Sequence, residues 1–513
     1  MPIINQLWAW YLNKHMRQID YFIRHSEEVQ AQQLQQLLEK TKNTEWGKKF
    51  DYKSIRTPQQ LADRVPVQDY ETVKNYIARM MHGERDVLWP GQIRKFAKSS
   101  GTTSDKSKYI PVTPENLKDC HVRGGWHLLT LLYQNRPHTT IFGGRNTVIG
   151  GSAIDFPEFP QSRVGDVSAI ILEQIPWVAK MAHSPGMDIA LMADFEAKLE
   201  KIARITIQKD VRMIAGTPTW IVVLFQRILE LTGKQHMLEV WENFQVYIHG
   251  AVSFTPYRER FRQFIPTDDF AYQETYNASE GYFAIQSDFS KDDMLLLLDN
   301  GVYYEFLPME EWDKEFPKAI GLHEVETGKN YALVVSTNSG LWRYKIGDTV
   351  MFTSTHPYKL KITGRTKQFI NAFGEEVMVA NTDKALQMTC SELNTVVKEY
   401  TVAPVFFEKG EDKGGHEWII EFEKSPHSTD VFAECLDQNL QKVNSDYEAK
   451  RFNNLALECL RLHAAPQGTF YEWMKSRGKL GAQQKVPRLS NSRDYVEGIL
   501  SMIKTNGLSG RQD

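Results

Sequence analysis

Apolar and polar positions recur with two different periods along this chain, and the switches between them outline its elements. From residue 3 to about 40, Gln, Leu, Glu and Arg dominate, and apolar residues fall at helical spacing, as at Leu34, Leu37 and Leu38. That spacing predicts an amphipathic helix at the start of the chain. Thr113-Pro114-Glu115-Asn116 reads as an N-cap followed by proline at the first helical position, opening a long helix past Leu132. Thr217-Pro218-Thr219-Trp220 opens another, which runs through Leu231 and stops at Gly233. Short apolar runs closed by small residues, at 140–144, 146–151 and 245–251, predict buried strands with glycine turns. Strands alternating with helices predict α/β construction, in which ligands sit beyond the C-terminal ends of the strands.

Beyond Asp348 the texture becomes more β-rich and charged. Residues 359–365 alternate as a strand closed by glycine. Strands at 401–408 and 418–422 and a helix at 430–443 predict a small α+β domain. No internal repeat or low-complexity tract is present.

Composition narrows the class. A chain of 513 residues is too long for one ordinary domain. A hydrophobic fraction of 42% and an aromatic fraction of 12% exclude a disordered chain. The net charge of −3 provides no basic field to recruit nucleic acid or an anionic membrane. Cys120, Cys390, Cys435 and Cys459 lie far apart with no C-x-x-C spacing, which predicts neither a disulfide framework nor a zinc site and fits a cytoplasmic location. The run Leu7-Trp8-Ala9-Trp10-Tyr11-Leu12 is too short for a membrane span and reads as the start of the amphipathic helix.

The chemistry begins at Ser99-Ser100-Gly101-Thr102-Thr103, four hydroxyl residues around one glycine, immediately after the strand-like run Arg94-Lys95-Phe96-Ala97-Lys98. Glycine lets the backbone turn tightly against a ligand, while amides and hydroxyls donate toward an anion. The loop is not a Walker A loop, because Asp105 stands where that motif needs a glycine ahead of Lys106-Ser107. An ordinary Ser/Thr-rich turn shares its composition. Two later segments favour the nucleotide reading. Tyr276-Asn277-Ala278-Ser279-Glu280-Gly281 sets an aromatic ring four residues before a carboxylate, and Trp342-Arg343-Tyr344-Lys345-Ile346-Gly347-Asp348 sets an aspartate behind a strand-ending glycine. In this order they supply a phosphate loop, a ring to stack on a purine, a carboxylate for a divalent cation and an acceptor for ribose hydroxyls. Gly250-Ala251 and Tyr276 both fall at predicted strand ends.

This combination resembles the adenylate-forming superfamily of acyl-CoA synthetases, peptide-synthetase adenylation domains and luciferases. Within it, the chain is most similar to the auxin-responsive promoter family of acyl acid-amido synthetases. The shared segments are the Ser99-to-Thr103 loop, residues 276–281, residues 344–348, Gln467-Gly468-Thr469-Phe470, and Gln484-Lys485-Val486-Pro487-Arg488. The resemblance implies a large multi-sheet N-terminal domain at 1–355 that binds ATP and the acid. It also implies a hinge at 356–366 containing Gly364-Arg365, and a mobile C-terminal domain at 367–513. Mg2+ on Glu280 and a bridge by Lys485 between the acyl carboxylate and the α-phosphate are implied with it, as is an ATP contact by Arg365. Residues 450–513 hold eleven Lys and Arg against five Asp and Glu, a pattern that a solvated basic face also produces. Plant members carry a lysine shortly after the hinge. Here that region reads Gly374-Glu375-Glu376-Val377, a departure that sets the chain among bacterial-like members.

The implied reaction uses ATP to turn a carboxylate into an acyl-adenylate, which an amine, such as that of an amino acid, converts to an amide. Val122, Trp126, Thr217 and Trp220 are the expected acyl-pocket positions, since they lie between the nucleotide motifs. A thiol acceptor, as in acyl-CoA ligases, and a non-catalytic nucleotide-binding role stand as alternatives. The absence of a G-x-S-x-G elbow fits chemistry by positioning and electrostatics rather than by a protein nucleophile.

Overall fold

In the computed structural model, which describes residues 2–99, 108–155, 160–175, 177–252, 254, 257–312, 314–366, 369–406, 413–452, 456–477 and 486–509, the chain divides after Thr366. The first unit comprises Met1–Ser99 and Lys108–Thr366, and the second takes the described residues beyond Lys367. The expected hinge, 356–366, consists largely of the strand Tyr358–Arg365, paired antiparallel with Tyr344–Thr355.

Among the described residues the first unit carries an eleven-stranded mixed sheet. One flank is parallel: Arg145–Val148, Val211–Ala215, Val246–Gly250 and Ala271–Ala278 lie side by side and point the same way. The hairpin partner Gly281–Gln286 then reverses direction, and the sheet continues antiparallel through Tyr358–Arg365, Tyr344–Thr355, Asn330–Thr337 and Val302–Pro308. Parallel strands buried on both faces need helices to cover them, and Pro218–Thr232 and Arg123–Asn135 belong to that cover. A second sheet pairs Lys95–Ser99 with Lys108–Pro111 in the register Ser99↔Lys108, so the two ends of the hydroxyl loop are held side by side. The residues between them lie outside the described set.

Local chemistry explains several element boundaries. Thr113 Oγ1 accepts from the backbone N–H of Asn116, 2.9 Å away, and Pro114 follows at the first helical position. Gly233, in the left-handed region at φ 67°, ends Pro218–Thr232, a conformation that glycine adopts without a Cβ clash. Two predictions need correction. The N-terminal segment is two helices, Pro2–Arg24 and Ser26–Thr41, separated at His25. The apolar run at 140–144 is a 3-10 turn, Ile141–Gly143, rather than a strand. Ile141 is buried with Leu12, Leu132 and Tyr133, so its apolar character serves helix packing.

The long helix opened by Thr113 carries an irregularity at Leu117–Val122, a π-helical turn, before Arg123–Asn135 resumes. This stretch docks on the hairpin that bears Tyr276 and Glu280. Cys120 Sγ accepts from the backbone N–H of Tyr282 at 3.2 Å, and a Cβ on Gly124 would stand 2.6 Å from the Tyr282 ring. Gly124→Ala is therefore expected to cost about 1–3 kcal/mol through overpacking. Denaturant unfolding measures it, and an unchanged midpoint would mean the helix can back away freely.

The second unit holds the three-stranded sheet Val396–Val405, Gly415–Lys424 and Arg461–Ala465. The helix Val379–Leu393 precedes this sheet in sequence and Thr429–Val443 lies between its second and third strands, an α+β construction. No helix among the described residues is long and apolar enough to cross a membrane.

Candidate active site

Tyr276, near the end of Ala271–Ala278, is 5% exposed, and its hydroxyl donates to Asp348 Oδ2 at 2.6 Å. The other Asp348 oxygen accepts from Arg365 Nε at 2.8 Å. Three residues that the sequence separates by up to 89 positions thus share one carboxylate. Burial, then the Asp348 charge and the hydrogen bond to it, push the Tyr276 phenol above its ordinary value, so it donates throughout the physiological range. Its ring packs edge-on against Phe283, centroids 5.1 Å apart.

Glu280 lies four residues further on, 5% exposed. Burial pushes its carboxyl up to about 6. Lys108 and its own backbone N–H hold back that rise, Asp348 adds to it and Arg365 opposes it. Glu280, Asp348, Arg365 and Lys108 therefore form one electrostatic group. Lys108 is the residue paired with Ser99, the last described residue before the hydroxyl loop. Ser99 is placed as the last residue of its strand. Ser100, Gly101, Thr102 and Thr103 fall outside the described residues.

Gly250 and Ala251 close the neighbouring parallel strand. A Cβ on Gly250 would stand 2.5 Å from the Thr275 carbonyl oxygen, and Ala251 takes φ 71°, a strained conformation for a residue with a side chain. The backbone there is drawn close to the strand bearing Tyr276. Asn277 Oδ1 meets His121 Nδ1 at 3.1 Å, and Ser279 lies between the two hairpin strands.

The expected acyl-pocket positions lie on two different elements. Val122 ends the π-helical turn. Trp126 sits in an aromatic cluster with Trp8, Tyr11 and His15, its centroid 5.2–5.9 Å from theirs, a packing role for its ring. Thr217 precedes the helix Pro218–Thr232, which contains Trp220, and its carbonyl accepts from the Trp220 N–H.

Lys485 falls outside the described residues, but the chain immediately after it is firmly held within the second unit. Thr401 Oγ1 donates to the Pro487 carbonyl at 2.7 Å, and the Val402 N–H donates to that of Arg488 at 2.8 Å. The Arg488 guanidinium reaches both Asp383 oxygens at 2.8 and 2.7 Å. The shared run Gln467-Gly468-Thr469-Phe470 opens the helix Thr469–Ser476, its Gly468 and Phe470 N–H groups donating to Glu421 at 2.9 and 3.3 Å.

The departure after the hinge has its own structural logic. Glu375 is fully buried, and its carboxylate accepts from the N–H groups of Ala372 and Phe373 at 3.3 and 2.6 Å and from His416 Nε2 at 2.8 Å. It braces the 371–376 turn from inside, a role for which an acceptor is required. Sequence reading passed over this brace, the position of Lys108 and His121, because each depends on partners remote in the chain.

The large mixed sheet and the smaller second unit have the adenylate-forming fold. A structure of the acyl acid amido synthetase AtGH3.15 with 2,4-DB superposes at a TM-score of 0.62, with 18% identity over 96% of each chain. A 2-hydroxyisobutyryl-CoA ligase superposes at 0.53, with 14% identity over 94% of this chain and 93% of the other. Residues 15–270 match the GH3 family N-terminal domain, 295–365 the central domain and 380–494 the C-terminal domain. The chain belongs to the GH3 family. It is 24% identical to the indole-3-acetic acid-amido synthetase GH3.3 of Arabidopsis thaliana, over 97% of this chain and 95% of that one. It is 22% identical to the jasmonoyl-L-amino acid synthetase JAR4 of Nicotiana attenuata, over 96% and 95%.

Proposed function

We propose that this protein is an acyl acid-amido synthetase, joining a carboxylic acid to an amine, and specifically to an amino acid, at the expense of ATP. Membership of the GH3 family and the names of its relatives support the class. The observation that carries the reading is the convergence of Tyr276, Asp348 and Arg365 with Glu280 and Lys108, the residue paired with Ser99.

In this reading the loop residues Ser99 to Thr103 hold the triphosphate, the Tyr276 ring meets the purine and Asp348 accepts from the ribose hydroxyls. Gly250, Ala251, Asn277 and Ser279 border the nucleotide, and Val122, Trp126, Thr217 and Trp220 border the acid. Tyr276 and Arg365 hold Asp348 in place before the nucleotide arrives, so little reorganisation is needed on binding. A carboxylate oxygen of the acid attacks the α-phosphorus and pyrophosphate departs. The amine nitrogen then attacks the acyl carbon, the C–O bond to phosphate breaks, AMP leaves with the electron pair, and the neutral amine releases one proton to solvent and keeps the other as the amide N–H.

The residues fit Mg2+. Among the described residues no cluster of His, Cys, Asp and Glu could hold a metal alone, but Mg2+ in such sites takes one or two carboxylates and completes its shell with phosphate oxygens and water. Glu280, buried and raised to about 6 despite Lys108 and Arg365, is a carboxylate whose charged form a further cation would favour. When bound there, Mg2+ would offset charge on the triphosphate. Four free cysteines fit a reducing compartment, and we place the protein in the cytoplasm.

Hydroxylamine provides the test. Incubation with ATP, hydroxylamine and a panel of carboxylic acids is expected to yield a hydroxamate and AMP with at least one acid. Accumulation of ADP, or nucleotide cleavage that ignores the acid, would overturn the reading.

A further inference from the structure

His121 occupies the π-helical turn Leu117–Val122, in the segment that follows the second strand of the hydroxyl-loop hairpin. A π-helical turn sacrifices regular helix geometry and is found disproportionately at functional sites. The side chain is 1% exposed. Nδ1 stands 3.1 Å from Asn277 Oδ1, and Asn277 is the residue directly after Tyr276. An amide oxygen can only accept, so Nδ1 carries the proton and Nε2 presents a lone pair. Among the described residues, buried Nε2 has no hydrogen-bond partner.

An acceptor buried without a donor is costly, and native structures retain few of them. Burial drives His121 down to about 4, with the Asn277 contact opposing the drop. The ring is therefore a neutral acceptor at physiological pH and too weak a base to keep a proton. It is fixed on both sides: Asn277 pins Nδ1, and the docking of Cys120 and Gly124 on Tyr282 fixes the turn that carries it. The preoriented lone pair is carried by the ring that Asn277, in the Tyr276–Glu280 segment, holds at Nδ1, and no described protein group supplies it with a donor.

We propose that His121 determines substrate specificity in this site, its Nε2 accepting a hydrogen bond from an O–H or N–H group of a bound substrate. The inference rests on the synthetase reading. The acid and the acceptor amine could each carry such a donor, and the two half-reactions tell them apart. Pyrophosphate exchange, run without acceptor, reads the acid. Transfer from a supplied acyl-adenylate reads the amine.

The experiment compares kcat/KM for matched substrates that differ only in the donor: hydroxyl against methyl ether on the acid, and N–H against N-methyl on the acid or amine. The wild-type protein is expected to favour the donor by about tenfold in one of the two half-reactions, the size of one neutral hydrogen bond. His121→Leu should erase that preference, and His121→Gln, which keeps an acceptor, should restore part of it. The wild-type comparison stands by itself should His121→Leu fail to fold, which thermal melting reports. Wild-type discrimination below twofold in both half-reactions would overturn the proposal, as would a preference that survives in folded His121→Leu. Failure of the wild-type protein to exchange pyrophosphate with any acid would strike the synthetase reading itself.

Discussion

Glu280→Gln is expected to abolish carboxylate-dependent pyrophosphate release while making the protein more stable at neutral pH. In the proposed role Glu280 would hold Mg2+ against the triphosphate, and losing it would forfeit several kcal/mol of transition-state stabilisation, a rate loss of about 10³-fold. The stability gain has the opposite origin. Burial raises the folded-state value of Glu280 from 4.5 to about 6, so the folded protein binds this proton more tightly than the unfolded chain does. Its contribution to stability is present below about pH 4.5 and is lost as pH rises through about 6. The ionised carboxylate then costs about 2 kcal/mol at pH 7. Glutamine carries no such charge, so the variant should lack the decline between pH 4.5 and 6. Melting curves across that window, with pyrophosphate release at pH 7, check both halves. Near-normal turnover would remove Glu280 from the catalytic site.

Lys485→Ala is expected to slow acyl-adenylate formation by about 10²–10³-fold, the usual cost of losing one preorganised group opposite developing negative charge. The same variant should convert a supplied acyl-adenylate to amide at close to the normal rate. We propose that the lysine serves the first step alone, because the acceptor amine would later need to approach the same carbon. Pro487 and Arg488 are anchored to the strand Val396–Val405 in the second unit, and we propose that this unit rotates about the hinge at 356–366, near Gly364-Arg365, between the steps. Measuring the two half-reactions separately decides the matter. Equal loss in both would sink a step-specific lysine.

The sequence was most legible where structure is decided locally. Thr113-Pro114 and Pro218 with Gly233 mark helix ends through chemistry that acts within a few residues, and both helices begin where expected. Strand Val246–Gly250 was equally plain, because a buried strand ending in small residues has few alternatives. The run at 140–144 misled, since a short apolar stretch has the same composition whether it pairs as a strand or plugs a helix cluster. The π-helical turn left no local trace because docking on Tyr282 accompanies it. Within the site, residue types and order pointed to Glu280, Asp348 and Tyr276. That the Tyr276 hydroxyl donates to Asp348 could not be read, being a contact across 72 positions. The same holds for Glu375, which in sequence is one more surface-like carboxylate beside Glu376 and in the fold is a buried brace held by His416.

The most direct test of the account is the product balance with a good acid and an amino acid acceptor. One AMP and one pyrophosphate are expected for each amide formed, and omitting the acceptor should leave acid-dependent pyrophosphate exchange in place. ADP and inorganic phosphate as the nucleotide products, or amide formation without any acid-dependent exchange, would contradict it.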